Sequence, residues 1–220
     1  IGLVGARVAV DPEGALSGAP AVDFVCREEF DYTCREIAEG KPLAQVDGLC
    51  YRDADGKVVH TPPRAPIEDM DAMPWVSPVY ARDLKIENYF IGYLRHPYVS
   101  FYTGRGCKSR CTFCLWPQTL SGHAWRVRST DNVVEEVRLA LKLFPQAKEL
   151  FFDDDTFNIR KDRVLELCRK FKPLGFRWSC NARVHGDYET LKAMADAGVR
   201  LLIVGFESWD PQILRNIKKG

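Results

Sequence analysis

The sequence predicts an α/β fold built on parallel strands. Three observations carry that expectation. From residue 98 onward, four short apolar runs alternate with four stretches of helical apolar spacing. Before residue 60 a strand, helix, strand, helix series appears on a smaller scale. Alternation of this kind marks units that pack helices on a parallel sheet. Each apolar run after residue 98 also ends in a polar cluster, and strand carboxyl ends are where such sheets build their sites.

Ile1 to Val10 reads as one buried strand. Pro12 to Leu16 starts a short helix, and Ala21 to Cys26 is a second apolar run. Glu28 to Glu39 has helical spacing at Phe30, Cys34 and Ile37 and is closed by Gly40. Gly48 to His60 reads as a hairpin, with Asp53-Ala54-Asp55-Gly56 as its turn. Residues 61–97 carry Pro62, Pro63, Pro66, Pro74, Pro78 and Pro97. Proline fixes the backbone and removes a donor, so the stretch reads as an extended connection without long helices. Its aromatics (Trp75, Tyr80, Tyr89, Phe90, Tyr93) are expected to pack it along the domain surfaces.

Tyr98 to Thr103 is the first strand of the larger series and runs straight into a cysteine-rich loop. Ser129 or Thr130 caps the next helix, whose apolar positions are Val133, Val134, Val137, Leu141 and Phe144. Glu149 to Phe152 is the second strand and ends in Asp153, Asp154 and Asp155. Val164, Leu165, Cys168 and Phe171 mark the second helix. Phe176 to Cys180 is the third strand, ending in Asn181, Ala182 and Arg183. Leu191, Met194 and Ala195 mark the third helix. Arg200 to Val204 is the fourth strand, ending in Gly205, Phe206, Glu207 and Ser208, and Pro211 to Lys219 the fourth helix. The polar clusters have a plainer reading as helix caps: Asp154, Asp155 or Asn158 for the second helix, Ser208 or Asp210 for the fourth. Three adjacent carboxylates repel one another, so some need a partner. The domain reading is 1–60, a connection at 61–97, and 98–220.

With 220 residues, 46% of them hydrophobic and 28% charged, the chain suits a globular protein of one or two domains. A net charge of +1 predicts no strong attraction to nucleic acid or a membrane surface. No apolar run has transmembrane length and no secretory signal is visible. Of eight cysteines, Cys26, Cys34, Cys50, Cys168 and Cys180 are scattered and read as buried thiols. A reducing, cytoplasmic compartment fits them. The chain opens on Ile1 and ends on Lys218-Lys219-Gly220 as a helix finishes; both ends look cut from a longer protein.

The other three cysteines, Cys107, Cys111 and Cys114, sit in Gly104–Pro117 with gaps of three and two residues. Three thiolates this close are costly unless a metal gathers them. A zinc site needs a fourth protein ligand, which His123 offers. A four-iron cluster takes four ligands, so three cysteines leave one iron open for a substrate or cofactor.

At these residues the chain resembles the radical S-adenosylmethionine (SAM) enzymes. Their signature is Cys-x3-Cys-x2-Cys with an aromatic residue before the last cysteine, here Phe113. The resemblance implies a [4Fe-4S] cluster on Cys107, Cys111 and Cys114, with SAM chelating the open iron. It implies reductive cleavage of SAM to a 5′-deoxyadenosyl radical, the cofactor carrying the chemistry and the protein holding it. It implies a partial (β/α) barrel of about four units over 98–220, and an external electron donor such as ferredoxin or flavodoxin. By the same resemblance Phe113 lies near the adenine, and Asp153, Asp154 and Asp155 stand where many members carry Gly-Gly-Glu. That departure is similar to the cobalamin-binding subgroup. Asn181, Arg183 and Glu207 are candidates for the SAM ribose and carboxylate, and a guanidinium such as Arg183 suits a carboxylate.

Residues 1–60 resemble the second half of the Rossmann-like cobalamin-binding domain that precedes many radical SAM domains. This implies that the loops near Gly5-Ala6-Arg7 and Arg27-Glu28-Glu29 face cobalamin, making Gly5, Ala6 and Glu28 candidate contacts. No histidine precedes His60, so no lower ligand to cobalt is visible. A narrower likeness lies in Cys111 to Thr119, Gly122-His123 and Arg126 to Ser129, which resemble the hopanoid-biosynthesis-associated radical SAM proteins. It implies a lipid side chain as substrate, converted to a cyclitol ether, with peripheral membrane association if so. The alternatives are a cobalamin-dependent methyltransferase, a porphyrin-ring cyclase, or a zinc-stabilised non-catalytic binding module.

Overall fold

The structure, a computed structural model, describes every residue except 121, 185 and 220. In chain order, β1 (Gly2–Leu3) is followed by α1 (Ala6–Val10) and α2 (Pro12–Gly18), then β2 (Phe24–Cys26), α3 (Asp31–Ala38), β3 (Leu49–Arg52) and β4 (Val58–His60). One α-helix, α4 (Ser77–Asp83), and a short 3-10 helix at Ile86–Asn88 lie in the proline-rich stretch. Then come β5 (Tyr98–Phe101), β6 (Gly104–Arg105), α5 (Trp116–Thr119) and β7 (Arg126–Val127). Three strand–helix repeats complete the chain: α6 (Thr130–Leu143) with β8 (Glu149–Phe152), α7 (Lys161–Phe171) with β9 (Trp178–Ala182), and α8 (Tyr188–Asp196) with β10 (Val199–Val204), before α9 (Pro211–Asn216).

The chain divides into two units. One holds Ile1–Glu68, Gly106–Ala124 and the residues from Arg215; the other holds Asp69–Arg105 and Trp125–Leu214.

In the first unit a mixed sheet runs β1-β2-β3-β4, with β1 parallel to β2 and the other pairs antiparallel. The hairpin keeps the expected place, pairing Cys50 with His60 and Arg52 with Val58. Side chains alternate across a strand, so Val25 and Cys50 join one cluster with Leu16 and Val22, while Cys26, Leu49 and Tyr51 join another with Val46. Ile1 to Val10 is not one strand. Gly5, at φ 111°, breaks it after β1, and Ala6 to Val10 coils into α1. A short apolar run fits either period, and the left-handed glycine decides it.

The second unit is a four-stranded parallel sheet in the order β10-β9-β8-β5, an incomplete (β/α) barrel. Among the described residues β5 and β10 are its edges. Helix α6 starts where the Ser129 hydroxyl accepts from Asn132 N at 3.2 Å, and it buries Val133, Val134, Val137 and Ala140. Helix α8 starts where Asp187 accepts from Thr190 N at 3.0 Å. Phe152 is central to the core, stacked on Phe171 at 5.4 Å and edge-on to Phe101 and Trp178. Buried rings of this size contribute about 1.5–3 kcal/mol each.

The proline-rich stretch is not wholly extended. Pro78 falls in the first turn of α4, where its missing N–H costs nothing. The buried Glu136 carboxylate accepts from Ser77 N at 3.2 Å and Ser77 Oγ at 2.9 Å, which caps that turn. Trp75 donates to Asn132 Oδ1 at 3.1 Å, and Tyr80 packs on the core. Tyr89, Phe90 and Tyr93 stay exposed, so packing along the surface applies to two of the five aromatics.

Candidate functional site

The three clustered cysteines lie in the first unit, on an irregular loop between β6 and α5. All three are half-buried and none forms a disulfide. Backbone bonds shape the loop: Cys114 N donates to Cys111 O at 3.1 Å, Cys107 N to Gly122 O at 3.4 Å, and Thr112 N to Ile217 O at 3.0 Å. His123 Nδ1 lies 3.2 Å from Cys107 O, so that nitrogen is spent on the loop itself. Phe113, Leu115 and Trp116 are exposed, and the Lys219 ammonium sits 5.8 Å from the Phe113 ring centre. Among the described residues no three His, Cys, Asp or Glu side chains are gathered closely enough to hold a metal ion. The fit to a metal centre rests on donor chemistry: three soft thiols on one loop, two of them joined by a hydrogen-bonded turn.

Also in the first unit, the loops after the parallel strands β1 and β2 turn through the left-handed region. They do so at Gly5 and at Glu28, where φ is 56°. For a non-glycine residue that conformation is uncommon.

In the second unit the sheet brings the ends of β5, β8 and β9 together. Asp154 is 2% exposed. Its Oδ1 accepts from Thr103 N and its Oδ2 from Thr103 Oγ1, both at 2.5 Å. Burial pushes its carboxyl up to about 6, opposed by the Thr103 and Gly104 hydrogen bonds and by the Arg163 charge. Asp153 is partly buried, and burial raises it too. The Asn181 amide, donating to Asp153 Oδ1 at 3.0 Å, opposes that rise, and the Asp155 charge adds to it. Asn181 also donates to Asp154 O at 3.1 Å. The β8 and β9 ends therefore form one hydrogen-bonded set. Tyr102, at the end of β5, lies under the Arg105 guanidinium, 5.8 Å from the ring centre. The residue is 45% exposed; partial desolvation, then the Asp153 charge, raises its hydroxyl above the ordinary 10, and it remains a donor near neutral pH.

Besides Ser129 at α6, one of the cap readings for the polar clusters holds. Asp210 Oδ1 accepts from Gln212 N at 2.6 Å and Ile213 N at 3.3 Å at the start of α9. Helix α7 has no side-chain cap, and Asn158 bonds Arg183 instead. Glu207, past the end of β10, is exposed and has φ 59°.

Sequence reasoning missed Thr103, Arg163 and the pair Arg128–Glu136. Arg128 Nη1 donates to Glu136 Oε2 at 2.5 Å and to Tyr102 O at 2.9 Å, with both side chains buried. The available signal was a charged residue at an inward position of α6, since Glu136 falls between Val133 and Val137.

Residues 101–220, more than half of the chain, match the family described as the Radical SAM superfamily. A Pyrococcus horikoshii protein named as an uncharacterized methyltransferase is 33% identical over 223 residues, covering 98% of this chain and 47% of its own. The anaerobic magnesium-protoporphyrin IX monomethyl ester cyclase of Rubrivivax gelatinosus is 27% identical over 205 residues, covering 88% of this chain and 36% of its own. The chain thus spans less than half the length of either relative. The structure of the cobalamin-dependent SAM radical enzyme OxsB superposes with a TM-score of 0.76 at 22% identity, covering all of this chain and 32% of that one.

Proposed function

The chain belongs to the radical SAM superfamily, a family of enzymes, and from that membership we propose that it forms the cluster-binding part of a cobalamin-dependent enzyme whose reaction is methyl transfer or ring cyclisation. The family's cofactors are a [4Fe-4S] cluster and SAM. When bound, the reduced cluster supplies the electron that breaks a carbon–sulfur bond of SAM, giving methionine and a 5′-deoxyadenosyl radical.

Cys107, Cys111 and Cys114 hold the cluster as thiolates in this reading. The single observation that carries it is the triplet itself, three half-buried thiols on one loop just past the end of the first barrel strand. Phe113, Asp153, Asp155, Asn181, Arg183 and Glu207 are the proposed SAM contacts. Asp154 belongs to that set by position and acts through Thr103, since both its oxygens are taken. The proposed domains are a cobalamin-binding-type segment at 1–60, a connection at 61–97 and barrel at 98–220. Cobalamin contact at Gly5, Ala6 and Glu28 is supported by the left-handed turns after β1 and β2 and by the likeness to OxsB, a cobalamin-dependent enzyme. The names of the two relatives support the reaction classes. An electron donor such as ferredoxin or flavodoxin completes the proposal.

A second reading, a hopanoid side chain as substrate, rests on the local likeness from Cys111 to Ser129. The exposed apolar side chains of Phe113, Leu115 and Trp116 favour it. No described helix is long and apolar enough to cross a membrane, so a lipid substrate would be met at a surface.

Anaerobic reconstitution with iron and sulfide, followed by assay of 5′-deoxyadenosine from SAM, tests the core of the proposal. Stoichiometric zinc in anaerobically purified protein, with no iron uptake, would point instead to a zinc-stabilised binding module. Tight aquacobalamin binding is expected of the full-length protein.

A further inference from the structure

The loop that carries the three cysteines leaves the second unit and returns to it through a closed neck. Strand β6 pairs antiparallel with β7, Gly104 opposite Val127 and Arg105 opposite Arg126. The approach is so close that a Cβ on Gly104 would lie 2.7 Å from Val127 Cγ1 and 2.8 Å from Arg126 O. Below this ladder, Arg128 N donates to Thr103 O at 2.9 Å. Arg128 also grips the incoming chain through Tyr102 O, and Asn132 Oδ1 accepts from its Nε at 2.7 Å. On the other side Thr103 gives both its donors to Asp154, and Arg163 donates to Thr103 O at 3.2 Å.

This node buries two acids and two bases. Thr103, Asp154, Arg128, Glu136 and Arg163 are each 8% exposed or less. A ladder of two residue pairs is too short to be stable alone. Buried ion pairs are a poor source of raw stability, since apolar groups of the same volume often do as well. What they impose is geometry, and here the geometry fixed is the separation of the two loop ends.

We propose that Arg128 and Asp154 are positioning residues for the iron–sulfur cluster, holding together the two ends of the cysteine loop. The inference rests on the radical SAM reading and deepens it. Binding three thiolates to one centre requires ordering of the loop. A neck closed in advance removes part of that entropic cost, as preorganisation does for any ligand.

The test uses the full-length protein, reconstituted anaerobically with iron and sulfide. The rate at which an iron chelator strips the cluster is compared for wild type, Asp154→Ala, Arg128→Lys, Asp154→Asn and the control Glu149→Gln. Glu149 is equally buried, at the other end of β8, bonded to Arg200 and Arg95 N. Thermal midpoints of the metal-free forms report the stability cost of each change. Asp154→Ala and Arg128→Lys should release iron about tenfold faster or more, the expected result of losing charge-assisted hydrogen bonds. Lysine keeps the charge but not the fork that reaches Tyr102 O and Asn132 together. Asp154→Asn should stay near wild type, because an amide can still bond Thr103. Glu149→Gln should release iron at the wild-type rate while melting earlier. Equal acceleration by Glu149→Gln, or no acceleration by either neck variant, overturns the proposal and leaves the family reading intact. Should Asp154→Ala fail to fold, Arg128→Lys decides. A wild-type protein that takes up no iron overturns both.

Discussion

The Asn158 side chain pairs with the Arg183 backbone on both sides. Its Nδ2 donates to Arg183 O at 3.0 Å, and its Oδ1 accepts from Arg183 N at 2.8 Å. A side-chain amide here replaces one rung of a sheet ladder, just past the end of β9. It fixes the backbone that presents Arg183 and keeps two polar groups satisfied at a site where Asn158 is 6% exposed.

Replacing Asn158 by Leu should destabilise the protein by about 1–3 kcal/mol, the cost of leaving buried polar groups without partners. Urea unfolding reads this directly. An unchanged midpoint would show that water serves the Arg183 backbone as well as Asn158 does. SAM affinity of the cluster-loaded variant should fall alongside that of Arg183→Ala, since both alter how the guanidinium is offered.

Asp154 sets a pH dependence of the less common sign. Burial raises its carboxyl from 3.8 to about 6, so the folded state binds the proton more tightly than the unfolded chain does. Its contribution to stability is fully present below about pH 4 and is lost as pH rises through about 6. Asp154→Asn removes the titration and keeps the shape. The difference in unfolding free energy, wild type minus variant, should fall by about 2 kcal/mol between about pH 4 and about pH 7. A flat difference would mean that the carboxylate is charged in the fold at no cost.

The strands of the second unit were legible because each carries a short, mainly apolar run that ends in a polar cluster. Glu149 to Phe152 gives way to Asp153 as read, whereas the third strand, read as Phe176 to Cys180, runs from Trp178 to Ala182, because Asn181 continues the pairing with β10. The cysteine spacing was equally open to reading, since it depends on local sequence alone. What stayed hidden depends on tertiary partners. Nothing near Asn158 announces that it will meet Arg183 rather than cap α7. Nothing near Thr103 foretells that both its donors go to Asp154. Ile1 to Val10 was misread because Val8 packs inward while Val10 is exposed, a distinction that a continuous apolar run does not display.

Glu149 gives the opposite pH sign. Burial acts to raise its carboxyl. Hydrogen bonds from Arg200, Arg95 N and Ser179, with the Arg200 charge, outweigh that and hold it below its ordinary 4.5. Its stabilisation is therefore present above about pH 4.5 and is lost as pH falls through the lower folded value. Arg200→Ala strands this carboxylate, whose side chain is fully buried. Breaking a buried pair in this way costs about 3–5 kcal/mol. Denaturant unfolding at neutral pH should show that loss, and acidification should narrow it. A loss that stays constant to low pH would rule out the charge as its source.

The cysteines should separate into two chemical classes. Alkylation requires the thiolate and access to it. Burial pushes Cys168 up to about 12 and Cys180 well above its ordinary value, while burial and the neighbouring Cys34 push Cys26 up to about 12. At about pH 8 a thiol with a pKa near 12 is ionised to roughly one part in ten thousand, so Cys26 and Cys168 should resist iodoacetamide in the folded protein, as should the fully buried Cys180. Cys107, Cys111 and Cys114 are half-buried on a loop and should react in the metal-free form. Iron loading should then protect all three together, because one cluster holds them. Peptide mass mapping before and after reconstitution reads each site separately. Cys111→Ala should abolish that protection at Cys107 and Cys114 and lower the iron content, whereas Cys168→Ala should change neither. Protection of one loop cysteine without the other two would be inconsistent with a shared centre, and normal iron content in Cys111→Ala would remove that residue from the ligand set.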